Sequence, residues 1–243
     1  MNTQDLYRNF HANTSPQVKI INKGNFTYKV LVGVLERYVK TGQNILDIGS
    51  GAGTLAFYCN DKGNSLVGVD ISKEAIDAAN KSIKLLNLKN IKFEVKKFPL
   101  EVPDGKYDIV ICTEVIEHIN NDTLAFKKIY TLLRKNGIAI ISTPSKNAPL
   151  HRLGLAKNFD IRVGHLRRYT EQDLIKLSKT AGFELLEIEK TEGVIRNSLF
   201  VLPFLGRFVR FIKSFLVDIV SYIDWISLKL FGESQIFIVV KKP

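Results

Sequence analysis

The chain is poor in cysteine, with only Cys59 and Cys112 in 243 residues. They lie far apart and form no C-x-x-C pair, which excludes a disulfide framework and a zinc motif. Cys112 falls inside an apolar run, the place of a small core residue. The opening Met-Asn-Thr-Gln-Asp has no basic-then-apolar leader, so the expected setting is a reducing cytoplasmic compartment. No uncharged apolar run approaches the length of about 18 residues that crosses a bilayer. Acidic residues are also in deficit: 24 Asp and Glu against 35 Lys and Arg give a net charge of +11 and a pI of about 9.5. That balance suits an acidic partner, whether nucleic acid, an anionic membrane surface or a negatively charged small substrate. The basic residues are spread along the chain, with no RNA-binding module and no aromatic-basic repeat, which ranks nucleic acid last. A hydrophobic content of 45% is enough for one core, so residues 1–243 are read as one domain.

The chain is organised around Asn44-Ile-Leu-Asp-Ile-Gly-Ser-Gly-Ala-Gly53. Ile45, Leu46 and Ile48 form a short apolar run, the pattern of a strand buried on both faces. Asp47 interrupts it, and Gly49, Ser50, Gly51 and Gly53 follow as a turn that a ligand can approach closely. Thr54 to Asn60 then reads as the start of a helix whose free N–H groups point back at the loop. A dinucleotide fingerprint needs G-x-G-x-x-G, but its third glycine position holds Thr54. The spacing is D-x-G-x-G-x-G instead. This resembles the first motif of the class I S-adenosylmethionine-dependent methyltransferases. The chemistry agrees: a carboxylate at the strand end can attract the cationic end of that cofactor, and the glycine turn lets its amino-acid tail lie against backbone.

Ser65 to Asp70 reads as a second apolar strand ending in an acid, 23 residues beyond Asp47 (70 − 47). A strand–helix–strand unit puts an acid there to hold both ribose hydroxyls, and Ile71 then lies beside the adenine. The alternative is a helix-start acid, since Ser72 and Glu74 fit an N-terminus. Ser72–Asn87 is expected as a helix and Ile91–Val95 as a third strand. Many relatives place an acid for the adenine amino group next. Here Lys96-Lys97-Phe98 departs from the pattern, leaving backbone and Phe98 for the task.

Tyr107–Thr113 reads as a fourth buried strand running into Glu114-Val-Ile-Glu-His118. This E-x-x-E-H is similar to the post-strand motif of ubiquinone-biosynthesis O-methyltransferases and their small-molecule relatives. Thr113 and Glu114 are then expected at the cofactor. On a helix starting near Glu114, residues 114, 117 and 118 share one face. His118 is the candidate base for an acceptor hydroxyl. A second reading has Glu114, Glu117 and His118 holding a divalent metal. In a third, they only cap the helix and line the cofactor edge.

Thr123–Leu133 reads as a helix closed by Arg134-Lys-Asn-Gly137, and 137–144 as the fifth strand. Its Ser-Thr-Pro-Ser ending is not the N-P-P-[YFW] signature of enzymes that methylate base amines. Residues 145–169 read as a long irregular segment carrying His151, Arg152, Lys157, Arg162, His165, Arg167 and Arg168 against Asp160. This basic rim is expected over the acceptor, where it could attract a carboxylate or phosphate. Thr170 caps a further helix, and 183–190 is the sixth strand.

The last strand, 235–240, should follow by a short hairpin. Instead 191–234 intervene, rich in Phe, Leu, Ile and Val. Polar positions recur at helical spacing (207, 210, 214, 221, 224), while Phe204, Phe208, Phe211, Phe215, Ile219, Ile223, Ile226 and Leu230 occupy the remainder. Burying these eight side chains would contribute about 12–24 kcal/mol gross. Three outcomes follow: a lid on the catalytic domain, a dimer face, or a membrane interface through 199–231 with Arg207, Arg210 and Lys213 at the headgroups.

The resulting expectation is an α/β doubly wound seven-strand sheet, Rossmann-like, of the class I methyltransferase kind, with a hydrophobic helical insertion before the last strand. Residues 1–40 form an N-terminal helical cap, 41–190 the cofactor-binding core, 191–234 the insertion and 235–243 the last strand. The resemblance implies S-adenosylmethionine as cofactor, S-adenosylhomocysteine as product, and O-methylation of a small lipophilic or anionic acceptor. N- or C-methylation and a nucleic-acid-binding methyltransferase are the alternatives. The protein is then cytoplasmic, with peripheral contact at the inner membrane face under the membrane reading.

Overall fold

The computed structural model describes residues 14–202, 204–209, 212 and 215–243, less the side chains of 207 and 208. The expected strands form a seven-stranded sheet in the order β3-β2-β1-β4-β5-β7-β6. They are β1 (Asn44–Ile48), β2 (Ser65–Asp70), β3 (Ile91–Val95), β4 (Tyr107–Thr113), β5 (Leu133–Pro144), β6 (Glu184–Thr191) and β7 (Gln235–Lys241). β7 is antiparallel to both neighbours; the other pairings are parallel. Strand order reverses between β1 and β4, so the ends of these two strands open a crevice at the carboxyl edge, where doubly wound folds bind ligands.

The strands read as near-continuous apolar runs because both faces are covered. Along β4, Ile109 and Ile111 enter one core, and Val110 and Cys112 the other. The first core is closed by α1 (Lys29–Tyr38), α2 (Thr54–Asp61) and α3 (Lys73–Leu85) through Leu35, Phe57 and Ile76. The second is closed by α4 (Asp122–Leu132) through Phe126 and Ile129, and by Leu174 of the helix Glu171–Ala181. Both cysteines are buried and free. Arg134 to Asn136 extend β5 instead of merely closing α4.

The stretch 145–169 is less irregular than its sequence suggests. It contains α5 (Pro149–Arg152) and α6 (Lys157–Val163), which precede α7 (Glu171–Ala181). Thr170 and Asp173 form the expected capping box of α7.

The insertion folds as α8 (Val194–Val201), α9 (Gly206–Val209) and α10 (Phe215–Phe231), and Asp224, one of its polar positions, turns inward. The buried residues of α10 are Val217, Asp224 and Ser227, while Phe204, Phe215, Ile219, Ile223, Ile226 and Leu230 are exposed. Phe211 lies outside the described residues, as does the side chain of Phe208. The physical reason is the N-terminus of α8, whose first amides have no side-chain cap of their own. Asp224 supplies one from across the interface, accepting from Gly193 N at 2.9 Å and Arg196 N at 2.8 Å. A carboxylate at a helix N-terminus satisfies orphan donors and the helix dipole together. A Cβ at Gly193 would stand 2.1 Å from Ser227 Oγ, so the two helices pack through small and polar groups and the apolar remainder of α10 faces out. Among the described residues, no helix is long and apolar enough to cross a membrane.

Candidate active site

After β1 the chain turns at Gly49, φ +72°, where a Cβ would lie 2.2 Å from Val115 Cγ2. Gly53, φ +86°, is the N-cap of α2, and a Cβ there would come within 2.7 Å of both Phe57 and Phe93. Both positions require glycine on conformation and on space. Gly49 N and Ser50 N donate to Val69 O, and Gly51 N donates to Asp70 Oδ2 at 2.8 Å. Asp70 Oδ1 accepts from Ser72 N at 2.8 Å. The carboxylate is thus held by two backbone amides, with further acceptor positions still open.

The loop borders a cavity of about 690 Å³. Its wall includes Gly49, Ser50, Gly51, Asp70, Ile71, Phe98, Thr113, Glu114 and His118. Lys96 and Phe98 stand where an adenine-binding acid was sought. Gly53 and Asp47 are not wall residues. Asp47 lies buried beneath the loop; burial, and then the charge of Asp70, push its carboxyl up to about 8. Its Oδ2 and the Ser50 Oγ are buried without hydrogen-bond partners. A fixed carboxylate at the wall, glycines that admit close approach and unpaired polar atoms around the loop fit an adenosyl ligand bearing a ribose diol and a cationic tail.

The E-x-x-E-H stretch does not begin a helix. Glu114 takes φ +56°, which breaks the helical path, and Ile116–His118 make one 3-10 turn. Glu114 Oε1 accepts from Ser142 Oγ at 3.0 Å and Gln235 Nε2 at 2.6 Å, and burial raises its pKa. Glu117 is fully buried, with Oε2 accepting from Thr143 Oγ1 at 3.2 Å and Oε1 unpartnered. Burial, and then Glu114, hold its carboxyl well above the usual range. His118 Nδ1 lies 3.0 Å from Gly164 O. A carbonyl only accepts, so the proton is assigned to Nδ1 and the lone pair to Nε2. Burial lowers the His118 pKa to about 4, outweighing the Gly164 bond, with His165 adding to the fall. The imidazole is therefore neutral at pH 7.

His165, which the sequence offers only as part of a basic rim, joins this centre. Its ring centroid is 4.9 Å from that of His118, and its Nδ1 lies 2.8 Å from Asp160 Oδ1. Glu117 Oε1 lies 3.9 Å from His118 Nε2 and 3.8 Å from His165 Nε2. The metal reading changes accordingly: Glu114 is engaged elsewhere, and the three atoms drawn together belong to Glu117, His118 and His165, all within 4.8 Å of one another. One carboxylate and two imidazoles could hold a divalent transition ion.

The basic rim is partly internal. Arg168 binds Asp160 through two nitrogens at 2.9 and 2.6 Å. The bonds from His165 and Arg168 outweigh burial and hold Asp160 below the usual carboxylate range. Arg167 pairs with Asp122 at 2.8 Å. Two further wall residues, Glu192 and Gln235, come from either end of the insertion. Glu192, φ +56°, accepts from Arg196 Nε at 2.8 Å, and burial raises its pKa. Arg196 is itself buried, donates to the carbonyls of Phe26 and Thr27, and stacks on Phe26 and Phe200. No spacing rule links these residues to the glycine loop; the clue was only the unexplained length of the insertion.

The family model for a methyltransferase domain matches residues 26–188. A ubiquinone biosynthesis O-methyltransferase of Rickettsia bellii is 31% identical over 160 residues, covering 63% of this chain and 65% of the relative. A ribosomal protein L11 methyltransferase of Clostridium perfringens is also 31% identical, over 165 residues, covering 68% of this chain and 44% of the relative. The chain thus spans less than two thirds of the length of these relatives. Among solved structures, Haemonchus contortus phosphoethanolamine N-methyltransferase 2 in complex with S-adenosyl-L-methionine superposes with a TM-score of 0.68 at 19% identity, covering 98% of this chain and 60% of that one. A putative sarcosine dimethylglycine methyltransferase from Galdieria sulphuraria gives 0.67 at 15% identity, covering 99% and 98%. The matched domain, the sheet order and the acid-and-glycine loop agree: this chain belongs to the methyltransferase-domain family, the class I S-adenosylmethionine-dependent methyltransferases.

Proposed function

We propose that the protein methylates a hydroxyl oxygen of a small, largely uncharged acceptor. The observation that carries this is the continuity of one cavity, with Asp70 and the glycine loop lining one part and His118 and His165 another. When bound, S-adenosylmethionine supplies the sulfonium methyl group, which passes to the acceptor oxygen as the carbon–sulfur bond breaks and S-adenosylhomocysteine forms. Asp70 holds the ribose hydroxyls. Ile71 and Phe98 receive the adenine, and Thr113 and Glu114 border the amino-acid tail. Asp47, raised to about 8 by burial beneath the loop, gives up its proton when the cationic cofactor binds above it. His118 accepts the acceptor's proton at Nε2, its ring aimed by the Gly164 carbonyl. Most of the acceleration comes from holding oxygen and methyl in line, worth up to about 7–11 kcal/mol.

The acceptor end is apolar and acidic more than basic. Tyr28, Val30, Leu31, Phe159 and Val163 line it beside Glu114 and Glu192, while Arg167 and Arg168 are spent on Asp122 and Asp160. This favours a neutral, lipophilic acceptor over an anionic one. The carboxyls of Glu114 and Glu192 on the cavity wall also support a second reading, N-methylation of an amine. A screen for S-adenosylhomocysteine release against hydroxylated lipids, quinone precursors, sugars and amines tests the proposal. Turnover with phenolic or hydroxylated apolar compounds is expected. Turnover with amines alone would overturn oxygen as the target, and His118→Ala with full activity would remove the base.

A further inference from the structure

α10 turns a large apolar face outward. Leu230 is 70% exposed, Phe215 69%, Tyr222 63% and Trp225 53%, with Ile219 and Ile223 between them. The face is aromatic as well as aliphatic: Tyr222 and Trp225 stack at 6.1 Å, and Lys229 Nζ lies 5.7 Å from the centre of the Trp225 ring. Contiguous exposed patches of this kind mark contact surfaces.

Charge indicates what the face meets. The sequence from Arg207 to Lys213 carries Arg207, Arg210 and Lys213 with no acid among them. Of the two acids in α10, Asp224 is turned inward as the cap of α8, and Asp218 bonds Lys29. The described cation on the outward side of α10 is Lys229, the sequence just before the helix is basic, and the chain carries a net charge of +11. A symmetric dimer through this face would bring together two chains that each carry a net charge of +11, a like-charge approach that is costly. An anionic bilayer instead offers a hydrocarbon boundary for the apolar side chains, an interfacial zone for Trp and Tyr, and phosphates for Lys and Arg. The 17 residues of α10 span about 25 Å as a helix, and they carry Asp218, Asp224 and Lys229. The helix is therefore suited to lie along the surface and not to cross it.

We propose that α10 anchors the protein to an anionic membrane surface, its outward face in the headgroup–acyl boundary and its basic flank drawn to the lipid phosphates. Docking of this kind stands apart from the choice of acceptor, because its test needs no turnover. Trp225 is the only tryptophan in the chain, so emission reports directly on this face. Titration with vesicles of phosphatidylcholine and phosphatidylglycerol should shift Trp225 emission to the blue and bring the protein down with the lipid. Pure phosphatidylcholine should bind at least about ten-fold more weakly, and salt should weaken binding to the mixed vesicles. The double variant Ile223→Glu/Leu230→Glu should lose at least about ten-fold in vesicle affinity, with helix content by circular dichroism and S-adenosylmethionine affinity unchanged. If that variant is misfolded, Lys229→Glu read by vesicle co-sedimentation replaces it, with a smaller loss expected. Unchanged emission on anionic vesicles overturns the proposal. So does equal binding to neutral vesicles, or a lipid-free blue shift that follows dimer formation in sedimentation velocity, which would assign the face to a second copy.

Discussion

The glycine loop and the α8–α10 insertion treat polar and apolar residues in opposite ways. At the loop, Ile45, Leu46 and Ile48 are buried and the carboxylate of Asp70 reaches the wall of an open cavity. In α10 the carboxylate of Asp224 is buried and the large apolar side chains are out. The difference lies in what each element must satisfy. A central strand has its backbone paired on both sides, so its side chains are free to follow hydrophobicity. A short helix with unsatisfied N-terminal amides takes a carboxylate first, and in the insertion that demand outranks the burial of phenylalanine and isoleucine.

The sharpest way to break the contrast is Arg196→Met. This residue joins Glu192 on the cavity wall to the carbonyls of Phe26 and Thr27. Its loss leaves Glu192 buried without its cation, which should cost about 3–5 kcal/mol of stability, read by chemical denaturation. Next comes Asp70→Ala. It removes charge-assisted bonds worth about 1.5–3 kcal/mol each, so S-adenosylmethionine affinity in calorimetry should fall at least ten-fold (about 1.4 kcal/mol). Unchanged affinity would refute the ribose assignment.

Asp224→Ala should cost about 1–2 kcal/mol through the uncapped α8, measured as a lower Tm. Phe215→Ser on the outward face should change stability by less than about 0.5 kcal/mol. A result with the two reversed would restore a conventional amphipathic insertion. The smallest effect is on pH dependence. The Asp47 carboxyl sits near 8 in the free protein, above the usual carboxylate value of about 4. The folded state therefore holds a proton that the unfolded chain has released, and the contribution of Asp47 to stability declines as pH rises from about 4 to about 8. A cationic ligand favours the ionised carboxylate, so S-adenosylmethionine should bind more tightly from pH 6.5 to 8.5, with proton release seen by calorimetry in buffers of different ionisation enthalpy. Asp47→Asn should flatten both.

Much of this molecule can be read in one dimension. Buried strands show as apolar runs, the loop shows as an acid followed by three alternating glycines, and Asp70 is reached by counting one strand–helix–strand unit. These features depend on local runs and spacings, so the amino-acid order alone carries the strands of the sheet and the motif of the family. Other features depend on partners from 28 to 121 residues away, and only the folded chain reveals them. Glu114 adopts a left-handed backbone and binds Gln235, which dissolves the helix drawn through Glu114, Glu117 and His118. His165 reaches His118 because Asp160 and Arg168 position its loop. Asp224 turns α10 over because α8 lacks a cap of its own. In each case a polar group gained a partner. The group that satisfies it is selected by proximity in space, which spacing along the chain does not encode.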